Sequence, residues 1–141
     1  MPLSVDIRGF PELQKQLHDI GNALAEDILE AAVREGAKIV RDAAAAKAPR
    51  DPHSTDHMAD HIVVRTIEKD GVHAVAGVAP VGWAPEKGKG EGKYFYFRYL
   101  EYGTSKMRAR PFLRPAADEN ENAVTQAIAD RLRKEIEKVS R

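Results

Sequence analysis

The sequence predicts an α+β fold, two long amphipathic helices packed on a small, mostly antiparallel sheet. Apolar residues recur at intervals of three, four or seven along Leu13, Leu17, Ile20, Leu24, Ile28, Ala32 and Ile39, the period of a helix with one buried face. The same period returns along Ala117, Val124, Ile128, Leu132, Ile136 and Val139. Between the two runs, Ile62 to Val81 alternates around Asp70-Gly71, a two-residue hairpin signal.

Each element has its own local justification. Leu3 to Arg8 alternates loosely, which suggests a short half-buried strand ended by Gly9. Pro11 fits the first turn of a helix, where a missing N–H costs nothing. The helix then runs to about Ala48 and Pro49 stops it, with Lys15, Glu26, Glu30, Arg34, Lys38 and Arg41 on its polar face. Gly21 and Gly36 each weaken it by roughly 1 kcal/mol relative to alanine, so a kink or break near Gly21-Asn22 is expected. Pro49 to Asp60 reads as a polar loop with one turn of helix. In the hairpin, Val72, Ala74, Ala76 and Val78 share one face. Trp83 to Lys93 alternates glycines with charges and reads as an exposed loop.

Tyr94 to Tyr102 packs six aromatics into nine residues. Its first half suits a strand; its second suits one or two helical turns closed by Gly103 in a left-handed cap. The last helix is expected to begin at Pro115, with Asp118, Glu119 and Glu121 near its positive end and Arg131, Arg133, Lys134 and Lys138 near its negative end. One hairpin and one strand form a narrow platform for two such helices. A leftover face or edge is satisfied most simply by another copy of the chain.

At 141 residues the chain is expected to be a single domain over residues 1–141. Lysine plus arginine and aspartate plus glutamate are 22 each, for zero formal net charge, which argues against a protein that mainly wraps nucleic acid. A local basic patch remains compatible with that balance. No cysteine is present, so disulfides and thiolate metal sites are excluded. No run has the length of a membrane-spanning helix and no signal-peptide pattern is evident, so a cytoplasm-like compartment of synthesis is expected.

Three stretches invite a chemical reading. In HSTDHMADH, His57 and His61 stand four apart, which on a helix would turn both imidazoles toward one Zn²⁺. The order echoes the inverted zincin motif with Asp60 where that chemistry needs Glu, and a third ligand would have to come from His18 or His73. The bland reading is a solvated polar loop. GKGEGK, Gly88 to Lys93, fails as a phosphate loop twice, because Lys87 stands where a glycine is needed and Tyr94 where Ser or Thr is needed. The aromatics of 94–102, with the basic segment 106–114, would serve a nucleic-acid-binding module, but such aromatics are more often core and interface material. Glu101 among them calls for a partner, and an arginine of 106–114 is the natural one. Nothing calls for a cofactor, and no nucleophile elbow suggests an enzyme.

The segment Arg98 to Pro115 concentrates these signals. Lys106, Arg108, Arg110 and Arg114 follow with no acid among them from Thr104 onward, and Pro111 and Pro115 bracket a Phe-Leu pair. YLEYGTSKMRARPFLRPA, Tyr99 to Ala116, resembles the signature of the head–tail joining proteins of long-tailed bacteriophages, small neck and tail-completion proteins similar to tail terminators. The helix ending in Ala48-Pro49 and the hairpin after it also sit where that family has them. The chain departs from the family at Thr55-Asp56-His57-Met58, where Thr-Gly-x-Leu is usual.

The resemblance implies a non-enzymatic virion protein of the tail or neck, assembled in the bacterial host cytoplasm. It implies a homo-oligomeric ring, usually of six copies, that ends the tail tube and docks the head connector or head-closure protein. Genomic DNA would pass through the lumen, with no membrane partner. On that reading Glu101, Tyr102, Arg108, Arg110, Phe112 and Arg114 are interface residues, with Glu101 and Tyr102 meeting the arginines of a neighbour. Lys87, Lys89 and Lys93 are expected to face the DNA channel or the tube.

Overall fold

The computed structural model describes residues 2–6, 11–70, 72–81, 94 and 96–139. Its elements in chain order are β1 (Pro2–Asp6), α1 (Pro11–Ile20), α2 (Asn22–Lys47), β2 (Ile62–Lys69), β3 (His73–Pro80), α3 (Phe97–Tyr102), α4 (Leu113–Glu119) and α5 (Glu121–Val139), with a 3-10 turn at Met58–His61. The fold is α+β. The sheet has the order β1-β3-β2, and both pairings are antiparallel.

The helix α2 is the axis of the core. Leu29, Val33, Ala37, Val40 and Ala44 recur at three or four residues and are fully buried, with Ala32 beside them, the spacing that keeps one face inward along about 39 Å of helix. The expected kink is a full break. Gly21 holds φ 107° and ψ 151° between α1 and α2, a left-handed φ that a side chain disfavours. The break carries Leu24 out of the predicted stripe to 40% exposure. At the other end Ala48 is extended (φ −64°, ψ 136°), as expected of a residue before proline.

The central strand β3 turns Ala74, Ala76, Val78 and Pro80 inward. Small side chains on that face let α2 lie close to the sheet. The hairpin closes through Asp70 N–H to His73 O at 2.8 Å, so Asp70 ends the paired ladder and does not itself sit between the strands' last pair. Its Oδ1 accepts the N–H groups of Val72 and His73, each at 2.8 Å. In β2 the register shifts between Thr66 and Glu68. The extra residue, Ile67, is mostly exposed and lies over Gly77 on the sheet's outer face.

The predicted C-terminal helix is two helices. The chain turns helical at Leu113, and Asn120 (φ −113°, ψ 13°) separates α4 from α5. Pro115 is therefore the third residue of α4, still within the first turn, where its missing N–H has no intrahelical partner. Val124, Ile128, Leu132 and Ile136 bury one face of α5 in the common core. Full burial of a leucine such as Leu132 stabilises by about 1.5–3 kcal/mol. Close approach to α2 depends on Gly36, where an added Cβ would stand 2.8 Å from Ile128 Cγ1 and 3.0 Å from Val124 Cγ1.

Polar contacts tie the layers at their rims. Thr66 Oγ1 donates to Glu30 at 2.8 Å, Arg34 donates to Thr66 at 3.2 Å, and Lys69 Nζ reaches Glu30 at 2.8 Å. These join α2 to β2. Arg131 bridges to Glu35 at 3.3 Å between α5 and α2, and Lys47 to Glu119 at 2.7 Å sets α4 beside the C-terminal end of α2.

Candidate functional site

The signature segment folds into a closed loop between α3 and α4. The second half of Tyr94–Tyr102 is helical as expected, over Phe97–Tyr102, whereas Tyr94 and Tyr96 in the first half lie in turns and not in a strand. Gly103 N–H donates to Tyr99 O at 2.8 Å and closes the helix. Its backbone (φ 74°, ψ 176°) departs from the expected left-handed cap and lies in a region that is essentially glycine's alone. A Cβ there would meet Ala109 N at 2.8 Å and Met107 O at 3.0 Å. The chain thus folds back tightly over Gly103.

Hydrogen bonds hold the returning strap. Thr104 N–H donates to Met107 O at 2.9 Å, Lys106 N–H to Thr104 Oγ1 at 3.2 Å, and Arg110 N–H to Leu100 O at 2.6 Å. Residues 104–111 are therefore a fastened loop, with its basic side chains turned outward.

Glu101 anchors the far end. It is 7% exposed. Its Oε2 accepts the N–H groups of Phe112 at 2.9 Å and Leu113 at 3.1 Å, and its Oε1 accepts that of Arg114 at 2.8 Å. The first amides of a helix lack intrahelical acceptors, and Phe112 before α4 has no side-chain oxygen to supply. A carboxylate from the preceding helix fills that role, with charge-assisted hydrogen bonds and a favourable position at the positive end of the helix dipole. Where the sequence suggests a guanidinium partner for Glu101, the structure supplies three backbone amides.

Six expected interface residues divide accordingly. Phe112 is fully buried in the chain's own core, and Glu101 is the internal anchor. Tyr102, Arg108, Arg110 and Arg114 lie on the surface, Tyr102 at 77% exposure. Lys106, Arg108 and Arg110 make no ion pair among the described residues, and Arg114 Nε stands 3.9 Å from Asp118. Met107 is also exposed, paired with Thr104 across the turn whose apex is Ser105-Lys106 and followed by Arg108. The surface of the strap is thus three cations, a tyrosine and a methionine on a hydrogen-bonded frame.

The histidine reading does not produce its geometry. His57 is extended (φ −107°, ψ 134°) and precedes the 3-10 turn, so His57 and His61 do not share a helical face. His61 Nε2 lies 2.7 Å from Asp56 Oδ1 and its ring stacks on Tyr94 at 5.3 Å. The Tyr94 O–H donates to the same Asp56 oxygen at 3.1 Å. Asp60 is taken by Arg50, whose hydrogen bonds hold its carboxyl below the usual range. The described groups close enough to share an ion are instead Glu68, Asp70 and His73, within 4.8 Å of one another at the hairpin end. Alternation puts Glu68 and Asp70 on one face, and the closing pair sets His73 beside Asp70, a juxtaposition that no sequence spacing announced. Lys87, Lys89 and Lys93 lie outside the described residues.

The family model described as "Bacteriophage HK97-gp10, putative tail-component" matches residues 11–103, from α1 through Gly103. No curated protein and no solved structure matches. No described helix is long and apolar enough to cross a membrane.

Proposed function

The chain belongs to the HK97-gp10-like family of bacteriophage tail components, and from that premise we propose that it forms a ring at the head-proximal end of the tail. The ring ends growth of the tail tube, joins the tube to the head connector and leaves a channel for the genome. The observation that best supports this reading is the strap anchored by Glu101. A fastened loop presents Met107, Arg108 and Arg110 outward, with the exposed Tyr102 at the end of α3 before it, and tyrosine, methionine and arginine are enriched at protein interfaces. Fastening the loop in advance lowers the ordering cost of association. Six copies are the expected number, and the tube protein and the head connector are the expected partners.

Native mass spectrometry and negative-stain imaging of purified protein, alone and with tail tube protein, test the reading. Closed rings that cap the tube are the expected result, and Arg110→Ala with Arg114→Ala should reduce assembly. A strict monomer under both conditions overturns it.

A second reading, a nucleic-acid-binding module built on 106–114 and 94–102, draws support from the exposure of Tyr99 and Tyr102 beside the strap cations. Binding of free DNA that weakens steeply with salt would favour it. Zero net charge counts against it.

A further inference from the structure

The strap presents one face, and the α4–α5 junction presents its complement. A groove of about 330 Å³ opens there, lined by Ser4, Ala117, Asp118, Glu121, Val124, Thr125 and Ile128. Its floor is apolar, from Ala117, Val124 and Ile128, and Asp118 and Glu121 stand at its edge. Glu121 has no ion pair among the described residues, and Asp118 is only loosely engaged by Arg114 at 3.9 Å. The turn that forms the tip of the strap has the opposite pattern: an exposed methionine, Met107, on its closing pair with Thr104, flanked by Lys106 and Arg108, neither of which is ion-paired among the described residues. The tip does not line its own chain's groove.

We propose that the strap tip of one copy docks in the α4–α5 groove of the next, with Met107 on the apolar floor and Lys106 and Arg108 against Asp118 and Glu121. This rests on the ring reading and names the contact that would close it. The occupant is a second copy because the two surfaces are complementary in charge and both belong to this chain. Two different faces per subunit are what a head-to-tail ring requires. Methionine is unbranched and polarizable, and so adapts to an irregular apolar floor. The charges at the edge supply register and a sensitivity to salt. The hydrogen bond from Thr104 N–H to Met107 O holds the tip in shape before contact.

The chain has no cysteine, so engineered disulfides report this contact cleanly. Full-length Met107→Cys and Thr125→Cys chains, one bearing a mass tag, are mixed and oxidised. Both positions are exposed, and circular dichroism checks that both variants fold. The mixed disulfide is expected severalfold above random pairing. Adding Glu121→Lys to the Thr125→Cys chain should bring it down to random pairing, and Arg108→Glu on the other chain should restore it. Random pairing between the two original variants overturns the proposal. Native mass measurement of the unmodified chain separates the two readings. Rings with random pairing leave the ring reading standing and remove this contact. Selective pairing without rings keeps the contact and removes closure.

Discussion

Oε1 of Glu101 accepts the backbone N–H of Arg114 at 2.8 Å, across thirteen residues of chain. Its other oxygen holds Phe112 and Leu113. This one carboxylate sets where α4 begins, and therefore where the strap must end.

Removing it should loosen both. A buried donor left without an acceptor costs about 1–3 kcal/mol, so Glu101→Ala is expected to lower unfolding free energy by roughly 3 kcal/mol and Glu101→Gln by less. Urea denaturation measures the loss. Limited proteolysis should show faster cleavage within 104–111, and an unchanged cleavage rate would sink the anchoring role.

Gly103→Ala should also destabilise, for a different reason. The backbone region at φ 74°, ψ 176° costs a side chain about 1–3 kcal/mol, and the new Cβ would press on the backbone of Ala109 and Met107, which cannot step aside as a side chain can. Thermal melts of the variant check this. A melting temperature equal to that of the unmodified chain would contradict the geometry.

Gly36→Ala tests the packing of α5 on α2. Alanine gains about 1 kcal/mol of helix propensity, but its methyl would overlap Ile128 Cγ1 and Val124 Cγ1, and overpacking typically costs about 1–3 kcal/mol. A small net loss is expected. In a double-mutant cycle with Ile128→Ala the penalty of Gly36→Ala should shrink or reverse; strict additivity would mean that the two residues do not meet as described.

The rim between α2 and β2 should carry a pH signature. The hydrogen bond from Lys69, and then that from Thr66, holds the Glu30 carboxyl below its usual value, and the same Glu30 contact raises Lys69. An acid with a depressed folded pKa adds stability above its unfolded pKa and loses it as pH falls through the folded one. A lysine with a raised pKa adds stability below its ordinary value and loses it as pH rises through the folded one. Glu30→Gln is therefore expected to melt lower than the unmodified chain at neutral pH and to converge with it in acid, once the pH has fallen through the lowered folded pKa of Glu30. Melting curves across that range measure the gap, and a gap that persists at acid pH would contradict the assignment.

Much of this protein was legible in local pattern. Helical period, strand alternation, Pro11, Pro49 and Gly21 located α1, α2, α5 and the hairpin, because such signals depend on which face of an element meets the core and not on which neighbour lies there. The resemblance at Tyr99–Ala116 pointed to a phage tail component, and the family match over residues 11–103 agrees on the family while reaching only Tyr99–Gly103 of that stretch. The tertiary structure alone decided the partners. It placed the first amides of α4 beside Glu101 in place of an arginine and drew Phe112 into the core. It split the last helix at Asn120, left His57 extended ahead of the turn that carries His61, and brought Glu68, Asp70 and His73 together. Each depends on groups separated along the chain and on helix ends whose unpaired amides exist only once the helix has formed. A carboxylate buried in that setting takes the donors the fold delivers, and periodicity cannot foretell them.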